Sequence, residues 1–305
     1  MNLLEESRGK MGERFVCLKQ YMNQEDYNKI EELRRICTDE EDIFLKLELD
    51  FKLTINKMQS VDSNEIINEF FYYFDEVLVG YLGIFCLDGE TCELTGMVHP
   101  CYRRKGIFKK LFSLAKYECM KRKANKVLLV CDNKSDSGLS FIKSVGAIYV
   151  SSEYEMIKDS QFITEEKNNI NLRKALNSDA NEIAYQNSLY FGIESNIEVL
   201  LDDDEKRSRT TYIIELDFKM IGKISVECME DEGFISGFGI LPEYRHMGFG
   251  KKALKSTLSI LKNKNVKTIK LEVATQNKNA LSLYESCGFR IESTTDYYEV
   301  TTSLT

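Results

Sequence analysis

The sequence predicts an α/β (α+β) chain made of two tandem copies of one unit, each a mixed, largely antiparallel sheet flanked by helices. Three observations carry that expectation. Landmark residues recur at one separation, apolar runs alternate between strand-like and helix-like spacing, and the only two prolines occupy corresponding positions. Gly80 and Gly222, Pro100 and Pro242, Tyr102 and Tyr244, Arg103 and Arg245, Gly106 and Gly248, and Gly146 and Gly288 all stand 142 residues apart. Lys109-Lys110 and Lys251-Lys252 keep the same separation. Self-similarity at a fixed interval marks an internal duplication.

The elements follow in order. The first copy opens with a helical lead-in over about 23–60, longer than its counterpart in the second copy. FFYYFD, VLVGYLGIFC and CELTGMV then read as strands, FKKLFSLAKYECMKR as a helix, KVLLVC as a strand and SGLSFIKSVG as a helix. In the second copy LRKAL (172–176) reads as a strand, and a helix over 178–189 has Ser178 or Asp179 available as its cap. TYIIEL and FKMIGKISVEC form two strands about a turn at Asp217, and FISGFGIL is a third, ended by Pro242. GKKALKSTLSILKNK places Ala253, Leu254, Leu258, Ile260 and Leu261 at helical spacing. VKTIKLEVA is a strand, ALSLYESCG a helix, and FRIESTTDYYEVT closes the copy with strands. The polar stretch 161–169 has no periodicity and reads as a linker, giving domains over 14–160 and 168–305.

Composition narrows the functional classes. A chain of 305 residues holds two domains of ordinary size. With 43% hydrophobic and 30% charged residues it has a soluble balance, and no apolar run nears the ~20 residues of a membrane helix. The opening residues lack a basic-then-apolar signal segment, so a cytoplasmic location is expected by default. The net charge of −8 argues against a nucleic-acid binder and suits a cationic substrate. Nine scattered cysteines without a C-x-x-C pair, and only two histidines, point to reduced thiols and no metal site. Cys17, Cys86, Cys131 and Cys228 sit in apolar runs, where a thiol acts as a small hydrophobe. The acidic run 202–205 is expected to be a solvated turn, with attraction of a cationic substrate as its other reading.

The segment 239–254 carries the chemistry. An apolar strand meets Pro242, then Arg-x-x-Gly-x-Gly opens a helix bearing Lys251 and Lys252. A helix's first turn leaves N–H groups unpaired and partially positive. Glycines at 248 and 250 admit a phosphate close to the backbone, and Arg245 and Lys251 add charge. The spacing is not the Gly-x-Gly-x-x-Gly of a dinucleotide fold, nor the Gly-x-x-x-x-Gly-Lys-Ser/Thr of a P-loop.

The segment resembles the coenzyme A pyrophosphate loop of the GNAT acetyltransferase superfamily, whose signature is Arg/Gln-x-x-Gly-x-Gly/Ala after a strand ending in a small-apolar-x-Pro sequence. Arg245-His246-Met247-Gly248-Phe249-Gly250 matches it in full. Asn277-Lys278-Asn279-Ala280-Leu281-Ser282-Leu283-Tyr284, followed by Gly288-Phe289, is similar to a second family segment. The resemblance covers about 168–305 well and 70–158 less well. It implies acetyl-CoA as cofactor and attack of a primary amine, on a small molecule or a peptide, on the thioester. An ammonium is no nucleophile and amine pKa values run from about 8 to about 10.4, so a proton must be accepted. The resemblance also implies that backbone N–H at Ile240 stabilises the thioester carbonyl. Tyr284 matches the tyrosine that protonates the leaving thiolate, and Ile240, Arg245–Lys251 and Asn277 match cofactor contacts.

The copies differ. In the first, Val98 stands for Ile240, and the loop is Arg103-Arg104-Lys105-Gly106-Ile107-Phe108, followed by Lys109. Phe108 replaces the last glycine and must fit beside the cofactor or fold away, while three basic residues compensate in charge. Ile142 stands where Tyr284 stands, and cannot donate a proton. Asn133 matches Asn277 only after a local two-residue shift. Glu93 is placed near a general-base position, with Ile235 as its counterpart, or is simply an exposed strand residue. In the second copy Glu227, Glu232 or water remain open as base. The expectation is an amine N-acetyltransferase catalysing in its C-terminal domain beside a degenerate first domain. The alternative is a non-catalytic acyl-CoA-binding or sensing protein. The amine acceptor and the oligomeric state are left open.

Overall fold

A computed structural model describes residues 13–58, 66–86, 89–162, 169–192 and 209–301. The acidic run 202–205 and most of the 161–169 stretch lie outside them. In chain order come β1 (Arg14–Lys19), α1 (Gln24–Glu40), α2 (Leu49–Met58), β2 (Glu69–Phe74), β3 (Val77–Phe85) and β4 (Thr91–Val98). Then follow α3 (Ile107–Lys121), β5 (Lys126–Asp132), α4 (Asp136–Ser144), β6 (Ile148–Asp159), β7 (Asn171–Lys174) and α5 (Ala180–Phe191). The remainder is β8 (Arg209–Leu216), β9 (Lys219–Met229), β10 (Glu232–Ile240), α6 (Phe249–Asn263), β11 (Thr268–Ala274), α7 (Lys278–Ser286) and β12 (Arg290–Glu299).

The chain forms two compact units, Met1–Ser151 with Thr295–Thr305, and Ser152–Thr294. The first unit's strands run in the order β1-β2-β3-β4-β5-β12 and the second's in the order β6-β11-β10-β9-β8-β7. Each has one parallel pair, β4–β5 and β10–β11 respectively. The other registered neighbours in both are antiparallel. Tight hairpins follow from paired left-handed residues, Asp75-Glu76 and Asp217-Phe218, whose φ values of 47° to 66° suit the twist of the strands they join.

In the first unit α1 is opened by a capping box, in which Asn23 accepts from the Asp26 N–H and Asp26 from the Asn23 N–H. It buries Ile30, Leu33 and Cys37 with Phe71, Tyr81 and Met97. A second core forms under α3 from Ile107, Leu111, Phe112 and Ala115 with Leu94, Val127 and Leu129. In the second unit α6 presents Ala253, Leu254, Leu258 and Leu261, one apolar stripe at helical spacing, to Ile269, Leu271 and Met156. None of the nine cysteines is in a disulfide. The buried ones are Cys37, Cys92, Cys119 and Cys287, whereas Cys17, Cys86, Cys131 and Cys228 are only half-buried. An apolar run does not tell which strand face a thiol occupies.

The units do not end at the polar 161–169 stretch. Residues 153–159 of β6 pair with β11, from Glu153↔Ala274 to Asp159↔Thr268. Residues 295–299 of β12 pair with β5, from Thr295↔Asp132 to Glu299↔Leu128. Each half of the sequence thus supplies the closing strand of the other half's unit. Met156 belongs to the second unit's core, and Val300, at the far end of the chain, to the first unit's.

That exchange makes a reciprocal prediction. Met156→Ala should cost about 2–5 kcal/mol, in line with other buried Met truncations. It should lower amide protection in 221–273 rather than in 70–130. Val300→Ala should do the reverse. Hydrogen exchange by mass spectrometry on both variants checks it, and the opposite assignment would refute the exchange.

Candidate functional site

The site grows from the point where the parallel strands part. Pairing of β10 with β11 runs from Glu232↔Thr268 to Ile235↔Leu271, and that of β4 with β5 from Thr91↔Lys126 to Leu94↔Leu129. The antiparallel neighbours continue further. Leu241 N–H donates to Ile221 O at 2.9 Å, and His99 N–H to Val79 O at 2.9 Å. Because an antiparallel ladder bonds alternate residues, the preceding Ile240 and Val98 turn their backbone groups to the opposite edge, into the gap. Both carbonyls on that edge are taken up by the following loop. Arg245 Nε donates to Ile240 O at 2.8 Å, and Arg103 Nε to Val98 O at 3.1 Å.

The loops have the same backbone in both units. Gly248 (φ 81°) and Gly106 (φ 80°) adopt the left-handed conformation immediately before α6 and α3, and no side chain caps either helix. The first helical bonds are Lys252 N–H to Gly248 O and Lys110 N–H to Gly106 O. The N–H groups of Phe249, Gly250 and Lys251, and of Ile107, Phe108 and Lys109, are therefore without helical partners at a positive helix end. This is a backbone cradle for an anion. The arginines act on it as struts. Arg245 also lies over the Tyr190 ring, 5.8 Å from its centroid, and Arg103 is paired with Glu41. Lys105 folds back onto Cys101 O at 2.9 Å. His246, Met247, Arg104 and Lys251 are exposed, while Phe249 and Ile107 are buried and offer backbone alone.

At the last loop position a side chain is accommodated. A Cβ on Gly250 would meet Leu283 at 3.5 Å, ordinary contact. Phe108, its counterpart, folds away and packs edge-on against Phe141 with ring centroids 4.7 Å apart. Only Gly106 and Gly248 are required by conformation.

Ahead of the loop the units diverge. Ser236↔Ser225 is followed by Gly239↔Lys223, so β10 carries one residue more than β9 there, a bulge with Gly237 at φ 55°. Buried Lys223 donates to Gly237 O at 2.9 Å and braces it. Thr95↔Gly83 and Met97↔Tyr81 show no such insertion in β4. The bulge corrects one correspondence. Glu93 pairs with Phe85 and Leu128, and the residue paired with Glu227 and Lys270 is Phe234, so Phe234 rather than Ile235 is the counterpart of Glu93. The constant separation fails across β10 because the turn before it is one residue shorter. Behind the bulge, Tyr190 of α5 packs on Gly239 so closely that a Cβ there would lie 2.2 Å from its ring.

Tyr284, on α7, is 8% exposed in the second unit's core, edge-on to Phe289. Its hydroxyl has no hydrogen-bond partner among the described residues, and burial pushes its pKa up to about 12. Ile142 takes the same place in the first core. Asn277 caps α7 by accepting from the Ala280 N–H at 3.1 Å. Ser135 caps α4 from the Gly138 N–H at 3.2 Å, so Ser135, not Asn133, corresponds to Asn277.

In the first unit the gap opens into a cavity of about 550 Å³ between Leu94–Val98, Leu129–Asp132, the loop and α4. That is within the range of small-molecule sites. Glu41, which follows α1, holds three of the residues that line it. Besides pairing with Arg103, its carboxylate accepts from Ser135 Oγ at 3.2 Å and Ser137 Oγ at 3.3 Å.

The carboxylates sort by position. Glu232 starts β10 and is paired with Lys270 at 2.8 Å, roughly 10 Å of strand before the parting. Glu227 faces Arg209 at 3.8 Å, on β9. Glu93 lies one residue before the cavity wall that begins at Leu94. Glu272 was missed in the sequence. It follows Leu271, the last parallel-paired residue of β11. Leu271 and Val273 face the α6 core, so Glu272 is on the opposite face, directly across from Glu155 on β6. Burial, reinforced by Glu272, Glu232 and Glu292 against the attraction of Lys270, pushes the Glu155 carboxyl pKa up. The corresponding pair in the first unit is Val130 and Tyr297. A Glu inside KLEVA signals exposure only once the strand's buried face is known.

The fold and loop define a class, and comparison with known proteins agrees. The sequence model of the Acetyltransferase (GNAT) family matches residues 28–147 and 177–289, so the chain belongs to that family, with the domain present twice. It is similar to the [ribosomal protein bS18]-alanine N-acetyltransferase of Escherichia coli K12, 33% identical over 85 residues, 27% of this chain and 57% of that protein. It is also similar to N-alpha-acetyltransferase 30 of Schizosaccharomyces pombe, 37% identical over 57 residues, 19% of this chain and 38% of that protein. The chain thus spans about half the length of the curated relatives it matches. Among solved structures, a GCN5-related N-acetyltransferase from Sphaerobacter thermophilus superposes with a TM-score of 0.77 at 15% identity, over 95% of this chain and 96% of that one. A tandem GNAT protein from the clavulanic acid biosynthesis pathway gives 0.72 at 14% identity, over 96% and 100%. Among the described residues no helix is long and apolar enough to cross a membrane.

The two loop glycines should respond differently to substitution. Gly248→Ala meets no atom within 4 Å but is forced into φ 81°. It should cost about 1–2 kcal/mol in urea unfolding. Gly250→Ala, already helical, should be neutral or stabilising by up to about 1 kcal/mol.

Proposed function

We propose that the second unit transfers an acetyl group from acetyl-CoA to a primary amine, and that the first is a degenerate, non-transferring partner. The observation that carries this reading is Tyr284, a phenol with no hydrogen-bond partner among the described residues, in the same core as Phe249 of the uncapped phosphate cradle, where the first unit has Ile142. The cradle fits the cofactor's pyrophosphate through the N–H groups of Phe249, Gly250 and Lys251, with Arg245 holding the loop to Ile240. Acetyl-CoA supplies the thioester carbonyl that the amine attacks.

Each remaining task falls to a residue of the chain. Ile240 presents its N–H in the gap, where charge develops on the carbonyl oxygen. Glu272, just beyond the parting strands, accepts the proton of the incoming ammonium, directly or through water, with Glu155 beside it. Tyr284 delivers a proton to the leaving sulfur. A phenol raised to about 12 remains a donor across the working range, so it imposes no alkaline fall on kcat. The similarity to an N-alpha-acetyltransferase and to a [ribosomal protein bS18]-alanine N-acetyltransferase makes peptide α-amines the first acceptors to test.

Thiol release across an amine panel tests the reading. Tyr284→Phe should lower kcat about 10²-fold or more with little change in the KM for acetyl-CoA, within the span for one proton-transfer residue. Glu272→Gln should lower kcat similarly and remove the acidic limb of its pH profile. Tight cofactor binding with no turnover on any amine would instead mark a sensor. Calorimetry on Gly248→Trp and Gly106→Trp identifies which cradle binds, and unaltered binding in both would refute the loop assignment.

A further inference from the structure

We propose that Lys158, Lys251 and Lys255 form a subsite in the second unit for the ribose 3′-phosphate of coenzyme A. The inference rests on the reading that this unit holds the cofactor, and it adds what distinguishes coenzyme A from its 3′-dephospho form.

Lys158 is the anomaly that leads there. It is only 8% exposed, and among the described residues its ammonium has no hydrogen bond and no ion pair. Its stem is buried while the ammonium keeps contact with solvent, so an anion from outside can reach it. Lys158 pairs with Ile269 on β11, while Met156, two residues earlier, pairs with Leu271. Both partners and Met156 are core residues under α6 and α7, which puts Lys158 on the helix-covered face of the sheet. Its Nζ lies 2.8 Å from where a Cβ on Gly288 would stand. The missing side chain at Gly288 lets the ammonium reach past the end of α7.

Two further lysines converge on that place. Lys251 is the third residue of α6, inside the phosphate cradle, and Lys255 stands one turn later on the same side of the helix. Burial pushes the Cys287 thiol pKa up, opposed by its hydrogen bond with Ser286 and then by the charges of Lys251, Lys255 and Lys158. Cys287 is one turn beyond Leu283, the residue nearest Gly250 in the cradle. From Leu283 beside the cradle to Cys287 beside the lysines is thus about one helical turn, ~5.4 Å. That is about the step from a pyrophosphate to a phosphate on the far side of one ribose. A dianion at this point would be attracted by all three ammonium groups.

The first unit has no such cluster. The positions matching Lys158, Lys255 and Cys287 are Val300, Ser113 and Val145, and Val300 is buried in the core. Only Lys109 matches, at the position of Lys251. The other role open to Lys158 is to offset the negative end of α7, which predicts an effect on stability and none on ligand choice.

The test is calorimetry of coenzyme A and 3′-dephospho-coenzyme A on the full chain in a Gly106→Trp background, which blocks the first cradle. The parent should prefer coenzyme A by tenfold or more, and the preference should shrink as salt is raised. Lys158→Met and Lys255→Met should each reduce the preference below threefold by weakening coenzyme A alone. Equal affinities in the parent would overturn the subsite while leaving the cradle standing. So would substitutions that weaken both ligands alike or shift only the thermal midpoint. Failure of either ligand to bind would refute the cofactor reading and this inference with it.

Discussion

When two parallel strands stop pairing inside a sheet, the edge they abandon carries backbone groups that no neighbour satisfies, and such groups are costly to bury. In both units the carbonyl on that edge is taken by an arginine from the very next loop, Arg103 on Val98 and Arg245 on Ile240. The N–H beside it is left facing the gap. The rest of the site depends on this arrangement. Pro100 and Pro242 end the strand, the arginine ties the loop back, and the left-handed glycine turns the chain so that a helix begins with its uncapped N–H groups beside the gap. Two donor sets, one on the strand edge and one at the helix end, are held in a fixed relation by one hydrogen bond.

The scaffold is common to both units, and the chemistry is laid over it unequally. At equivalent places the second unit has Tyr284, Glu272, Glu155 and Lys158 where the first has Ile142, Val130, Tyr297 and Val300. Every one of these exchanges replaces a group able to hold or move a proton or a charge by an apolar one or, for Glu155, by a phenol bonded to Lys46. The bulge in β10 adds to the contrast. It is braced by a buried lysine, Lys223, and covered by Tyr190, features absent from the regular β4. The first unit keeps the cradle and an open cavity, yet places the Glu41 carboxylate across Ser135, Ser137 and Arg103. There an internal anion already engages the loop's arginine.

Much of this was legible in the sequence. Fixed spacing gave the duplication, and Arg-x-x-Gly-x-Gly after a proline-stopped strand gave the cradle, because the glycine's φ and the free N–H groups are local properties. What sequence could not give were properties of register. A one-residue bulge compensated by a shorter turn leaves most landmarks 142 apart, so constant spacing matches Glu93 to Ile235 where the ladder matches it to Phe234. Residue type matches Asn133 to Asn277 only through a two-residue shift, while the cap geometry selects Ser135, which keeps the separation of 142. The arginines read as phosphate ligands because charge is visible in sequence, whereas the bond from each Nε to a strand carbonyl is not.

The exchange of closing strands has the same cause and the largest consequence. β6 and β12 occupy equivalent places in the two copies, with Glu155 and Tyr297 matching in register, so pairing preferences alone do not tell which sheet each will close. Each closes the sheet of the other copy's unit. Glu155, Met156 and Lys158 come from the first half of the sequence, but they complete the core and the charged face of the second unit. The duplicated halves are therefore not two separable modules. A change in β6 bears on the unit proposed to carry out transfer, and the first unit's sheet stays incomplete until the last strand of the chain has been laid down.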